Sequence, residues 1–161
     1  MFAGSCRLSV LRLRSNPAFH APDEDIPLIL IGNGTGLAGL RALLRERIAA
    51  GRHVNWLLFG ERQRHCDFFH GAELEAALDA GQLEHLDLAF SRDGTQRVYV
   101  QHLLHQHAGR LQQWIDAGAC IFVCGSLEGM AGGVDAALRS ILGDARMQQL
   151  AESGRYRRDV Y

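Results

Sequence analysis

Five short apolar runs, at 28–31, 54–59, 86–90, 119–124 and 155–160, alternate along the chain with longer stretches of helical character. The helical stretches fall at 37–50, 72–80, 101–117 (with a break expected near Gly109), 128–142 and 144–152. Strands that alternate with helices of this length form βαβ units, and such units build a parallel sheet. Right-handed crossovers then place helices on both faces of that sheet. The expected fold is α/β, a doubly wound and mostly parallel five-stranded sheet with helices on both faces. Residues 26–161 carry this pattern. Residues 1–25 do not: 8–14 alternate like a strand, Ser15-Asn16-Pro17 breaks the alternation, and residues 21–25 read as an acidic linker. A lone strand has no sheet of its own to join, so this stretch reads as the remnant of an upstream domain followed by a linker.

At 161 residues the chain has the length of one domain. Such a chain buries roughly 70% of the surface it exposes when unfolded and needs no disulfides to hold a core. The formal net charge of −1 gives no nucleic-acid or acidic-membrane footprint. No apolar run approaches the ~20 residues of a membrane span. Arginines interrupt the start where a signal peptide needs its apolar stretch, and a cytoplasmic location is the expectation. Cys6, Cys66, Cys120 and Cys124 fit no paired zinc motif. His102, His105 and His107 read as solvated helix histidines, and no metal site is expected.

The first apolar run leads into Gly32-Asn33-Gly34-Thr35-Gly36 and then a helix. Glycines let the backbone approach a phosphate, and a helix start aims free N–H groups and partial positive charge at an anion. Thr35 adds a hydroxyl. Leu37 stands where G-x-G-x-x-G has its third glycine, so the pattern alone reads either as a nucleotide loop or as a tight turn. The absence of G-K-[ST] excludes a P-loop.

Further segments follow in a set order. Ile31-Gly32-Asn33-Gly34-Thr35-Gly36-Leu37-Ala38 comes first, then Leu58-Phe59-Gly60-Glu61-Arg62 with Asp67-Phe68. Ala89-Phe90-Ser91-Arg92 and Arg97-Val98-Tyr99-Val100-Gln101 come next. Val123-Cys124-Gly125-Ser126 and the C-terminal Gly154-Arg155-Tyr156-Arg157-Arg158-Asp159-Val160-Tyr161 complete the set. Together they resemble the NADP-binding half of the ferredoxin–NADP reductase superfamily. The diflavin branch, of cytochrome P450 reductase and the sulfite reductase flavoprotein, is the nearest likeness.

The resemblance implies an NADPH-dependent flavoprotein oxidoreductase. Gly34, Thr35 and Gly36 would meet the cofactor pyrophosphate. Ser91, Arg92, Arg97, Tyr99 and Gln101 would hold the adenosine 2′-phosphate and adenine, where charged forked donors suit a phosphate and Tyr99 can stack, and Arg62 is a further cofactor-binding candidate. Cys124 and Gly125 would lie at the nicotinamide end, the cysteine as a positioning group and not a covalent nucleophile. Asp159 matches a C-terminal acid, and Tyr161 the aromatic that covers the flavin. NADP(H) would be bound here and FAD by a flavin-binding domain or separate chain, with FMN left open for the parent protein. The acceptor (a haem, sulfite reductase, a quinone or a small molecule) is not written in these residues. A non-catalytic nucleotide module, sensor or remnant, is the alternative.

Several positions depart from the pattern. Asn33 and Gly39 replace prolines, Ser126 a frequent acid, His70 a tyrosine and Tyr161 a tryptophan, and the flavin-binding R-x-[YF]-[ST] segment does not occur. Glu61 sits near the place where an acid after the second strand of an ordinary dinucleotide fold selects NAD through the ribose hydroxyls. The Ser91, Arg92 and Arg97 group argues for NADPH.

Overall fold

Alternation along the first strand, β1 (Leu28–Asn33), divides the core in two. Leu28 and Leu30 point to one face of the sheet, Ile29 and Ile31 to the other, and all four are fully buried. A central strand buried on both faces reads as continuous hydrophobicity, which is why the run shows no polar alternation.

The structure, a computed structural model, describes Asn16, residues 19–22 and residues 24–161. After β1 come α1 (Leu37–Ala49), β2 (Asn55–Glu61), α2 (Arg64–Asp67), α3 (Gly71–Asp79) and β3 (His85–Phe90). The second half holds α4 (Val100–Gln106), α5 (Ala108–Asp116), β4 (Cys120–Gly125), α6 (Gly132–Leu142), α7 (Asp144–Glu152) and β5 (Tyr156–Val160). The strand order is β3-β2-β1-β4-β5, and every neighbouring pair is parallel. The expected fold class holds, and the sheet is parallel throughout. Leu40 and Leu44 of α1 and Leu74 of α3 cover one face, while Leu104, Leu111, Val134 and Met147 from α4 to α7 cover the other. No helix among the described residues is long and apolar enough to cross a membrane.

The helical stretch 101–117 divides near Gly109 as expected, at His107, whose φ of −109° and ψ of 26° leave the helical region. One boundary differs from the sequence reading for a local reason. The stretch expected to be helical from 128 begins instead at Gly132. Glu128 has an extended ψ of 120° and Gly129 a φ of +87°, so an irregular turn, Leu127–Ala131, precedes α6. The strand expected at residues 8–14 lies outside the described residues. Of the stretch that follows it, Phe19 packs edge-on against Phe122 with ring centroids 5.1 Å apart. Arg52 donates to the Pro22 carbonyl at 3.0 Å.

At the N-terminal end of the sheet, Arg47 of α1 is completely buried. Its Nε donates to Asn55 Oδ1 at 2.6 Å and its Nη2 to the Ile26 carbonyl at 2.6 Å. Asn55 in turn donates to the carbonyls of Arg52 and Gln82 at 2.9 and 3.1 Å. One amide thus ties the end of α1, the start of β2 and the approach to β3. Burial lowers the pKa of Arg47, with Asp25 acting in the opposite sense. Removing one partner strands a buried donor, whereas removing both strands none. Asn55→Leu should therefore cost about 1.5–3 kcal/mol, the range for hydrogen bonds to charged groups. Arg47→Met combined with Asn55→Leu should cost less than the two single losses added, as read by urea denaturation of the three variants.

Candidate nucleotide site

The C-terminal ends of β1 and β4 diverge into helices on opposite faces of the sheet. This is the point at which the strand order reverses, and open α/β sheets bind ligands in the crevice there. The crevice is a cavity of about 600 Å³. Asn33, Gly34 and the Gly60-Glu61-Arg62 segment line one part of it, and Ser91, Arg92 and the residues from Arg97 to Gln101 another. The Glu128-Gly129-Met130 turn closes it on the third side.

The glycine loop has its conformation because β4 comes so close. A Cβ at Gly32 or at Gly36 would collide with the Cys124 carbonyl oxygen, so only glycine fits at either position. Gly34 adopts a φ of +52°, which glycine enters without steric cost. Gly34–Gly36 form a single tight turn that passes into α1. No side chain caps the start of α1 and no acid lies in its first turn. Its first N–H groups therefore keep their capacity for an anion.

Opposite the loop, pairing continues past the ends of β2 and β3. Ser91 N–H donates to the Glu61 carbonyl at 2.9 Å, and Arg92 N–H to the Arg62 carbonyl at 2.9 Å. This brings Glu61, Arg62, Ser91 and Arg92 side by side on the rim. Tyr99 starts α4, its N–H donating to His102 Nδ1 at 3.1 Å, and leaves its ring 40% exposed at the cavity. Gln101 lies in the first turn of α4 against Gly133, where a Cβ would stand 3.1 Å from its side-chain amide.

The charges on this rim are kept apart. Among the described residues none of the Arg62, Arg92 and Arg97 guanidinium groups has an ion-pair or hydrogen-bond partner. Among the described residues the Glu61 carboxylate accepts only the Arg62 backbone N–H, at 3.0 Å. Elsewhere the arginines pair readily, as Arg41 and Arg45 do with Glu73 at 2.6 and 2.7 Å. Three unpartnered cations beside a free helix start make a ready site for phosphate groups.

Of the residues singled out from sequence, Gly34, Arg62, Ser91, Arg92, Arg97, Tyr99 and Gln101 line the cavity together. Thr35 sits at the loop tip, where its hydroxyl and that of Tyr161 are 2.6 Å apart. Tyr161 is held there by the backbone: its N–H donates to the Gly125 carbonyl and its own carbonyl accepts from Leu127 N–H. Gly125 stands at the end of β4, where a Cβ would collide with Asn33 Oδ1.

Cys124 does not line the cavity. Its thiol packs beneath α1, 3.2 Å from where a Cβ on Gly39 would stand, and the residue is 3% exposed. Burial, aided by Asp159 on the neighbouring strand, pushes this thiol up to about 11. At neutral pH it is therefore protonated and no nucleophile. Asp159 accepts a hydrogen bond from Asn16 Nδ2 at 3.2 Å.

Two parts of the lining were not anticipated. Asn33 accepts the Ser126 N–H at 3.0 Å and so bridges the ends of β1 and β4. Its place as the residue that replaces a loop proline was the available signal. The turn at Glu128–Met130 was hidden inside an expected helix, and Gly129 was the clue to it.

Residues 30–136 match the family model described as the oxidoreductase NAD-binding domain. The sulfite reductase (NADPH) flavoprotein alpha-component of Photobacterium profundum is 38% identical over 163 residues, covering 92% of this chain and 27% of its own length. That of Thiocapsa roseopersicina is 46% identical over 131 residues, covering 80% of this chain and 25% of its own. That of Vibrio cholerae is 40% identical over 160 residues, covering 91% and 26%. The chain thus spans about a quarter of the length of these relatives. The matched region runs from the first strand through the glycine loop and the arginine rim to α6, and the chain belongs to the oxidoreductase NAD-binding domain family.

Proposed function

We propose that this chain binds NADPH and presents its nicotinamide to a flavin, as the nucleotide-binding part of an NADPH-dependent flavoprotein reductase. The observation that carries the reading is the set of unpartnered guanidinium groups of Arg62, Arg92 and Arg97 on the rim of a cavity that also receives the glycine loop. The relatives named as NADPH-dependent flavoproteins support it.

In this reading Gly34, Thr35, Gly36 and the start of α1 take the pyrophosphate. Arg62, Ser91, Arg92 and Arg97 take the 2′-phosphate, Tyr99 stacks on the adenine and Gln101 donates to it. Gly125, at the end of β4, lies at the nicotinamide end, and Cys124 sets that end's geometry from below by fixing the glycine loop. When bound, the nucleotide supplies a hydride to the N5 of FAD, which a flavin-binding domain or a separate chain holds. The protein's own contribution is position and electrostatics. Asp159 and Tyr161 face that flavin-binding partner. Sulfite reductase, the enzyme in the relatives' printed name, is the acceptor of this proposal, and the chain's location would be cytoplasmic.

Arg92→Ala together with Arg97→Ala should weaken NADPH binding about a hundredfold or more, at roughly 1.5–3 kcal/mol per charge-assisted bond. NADH binding should change little. Calorimetric titration of both nucleotides reads the difference, and equal losses would remove these arginines from 2′-phosphate recognition.

Tyr161 occupies the Thr35 hydroxyl that a pyrophosphate would use. Deleting Tyr161 should therefore tighten nucleotide binding and slow nucleotide release. Stopped-flow dissociation, measured beside the melting temperature, checks this. A lower melting temperature with unchanged release would leave Tyr161 a packing residue only.

A further inference from the structure

Glu61 is a rim residue that the NADPH reading does not use. It lies at the end of β2, with Oε1 3.8 Å from where a Cβ on Gly34 would stand. Its carboxylate therefore reaches toward the glycine loop, while its backbone carbonyl holds Ser91 N–H at 2.9 Å. On one side of Glu61 is the place for a pyrophosphate, and on the other are Ser91, Arg92 and Arg97. The adenosine ribose joins those two groups in the nucleotide and must pass Glu61.

The state of this carboxylate points the same way. Glu61 shares the rim with three arginines and pairs with none of their guanidinium groups. Oε2 accepts the Arg62 N–H at 3.0 Å, which orients the group, and Oε1 has no donor among the described residues. An oriented acceptor with a free oxygen suits a hydroxyl donor and repels a phosphate dianion.

We propose that Glu61 is a specificity-determining residue whose carboxylate accepts the adenosine ribose hydroxyls and opposes a 2′-phosphate, so that this domain takes NADH as well as NADPH. NADH offers Glu61 both the 2′- and 3′-hydroxyls. NADPH offers only the 3′-hydroxyl, and brings to the same place a negative charge that Arg62, Arg92 and Arg97 must offset. The arginines and Glu61 thus act in opposite directions on a single choice. The inference rests on the nucleotide site proposed above and adds a second substrate to it.

The test is calorimetric titration of the chain and of Glu61→Gln with NADP⁺ and with NAD⁺. Glutamine keeps an acceptor for Arg62 N–H, removes the charge and turns the free oxygen, an acceptor, into an NH2 donor. The unsubstituted chain should bind both nucleotides. Glu61→Gln should tighten NADP⁺ and weaken NAD⁺, moving their affinity ratio by about tenfold or more toward NADP⁺. An unchanged ratio, or one that moves toward NAD⁺, overturns the role of Glu61 while leaving nucleotide binding intact. Binding of NADP⁺ without measurable NAD⁺ by the unsubstituted chain overturns it too, and leaves the NADPH reading standing. If neither nucleotide binds, the site reading and this inference fall together.

Discussion

The carbonyl of Cys124 lies so close to Gly32 and Gly36 that no side chain fits at either position. This contact between the ends of β4 and β1 determines most of what the site can be. It requires the backbone to turn sharply after β1, with Gly34 at a positive φ, and it places the uncapped start of α1 over the crevice. It also puts Asn33 within reach of Ser126 N–H, so that the two strand ends are joined just where the sheet order reverses. A larger residue at position 32 or 36 would part the strands and spread the crevice. The thiol of Cys124 contributes from the opposite side by filling the space beneath Gly39. The same residue thus shapes the loop through its backbone and supports α1 through its side chain.

The second determinant is electrostatic. Arginines near a carboxylate usually close onto it when geometry allows, as Arg110 does with Asp87 at 3.3 Å in a cluster where Trp56 Nε1 also donates to that acid at 2.7 Å. At the rim of the cavity the backbone fixes where each charge starts: Glu61 closes β2, Arg62 follows it in a bend, and Arg92 sits in the turn after β3 with its N–H on the Arg62 carbonyl. The outcome is a surface on which three guanidinium groups and one carboxylate stay unpaired with each other among the described residues. Anchoring at the far end of the sheet, through buried Arg47 and Asn55, keeps β2 and α1 in register and so holds Glu61 and the glycine loop in a constant relation.

The fold was legible because the constraint on it is periodic. Runs such as Leu28-Ile29-Leu30-Ile31 cannot be exposed on either side, and alternation with helices leaves a parallel sheet as the arrangement that buries them. Helix limits were less legible, since they depend on single backbone angles. Gly129 turns the chain where a continuous helix was expected, and the break near Gly109 falls at His107 through that residue's own φ and ψ. Within the site, residues of strong chemistry such as Arg92, Arg97 and Tyr99 could be picked out from type and order. Asn33 could not, because its part depends on the distance between two strands that are far apart in sequence. The burial of Cys124 was unreadable for a similar reason. Its place at a strand end suggested exposure to the crevice, yet its side chain follows the face of Cys120 and Phe122, which α1 covers.

The central claim is that the crevice between the glycine loop and the arginine rim is where the nucleotide binds. Titrating NADP⁺ into isotope-labelled protein and following its backbone amide resonances tests this residue by residue. The largest shifts are expected at Gly34, Thr35 and Gly36, at Ser91, Arg92 and from Arg97 to Gln101, and in the turn at Glu128–Met130. Nucleotide binding there would be contradicted by saturable shifts confined to another surface, such as the groove lined by Gln112, Asp116 and Arg146, or by no shifts at all.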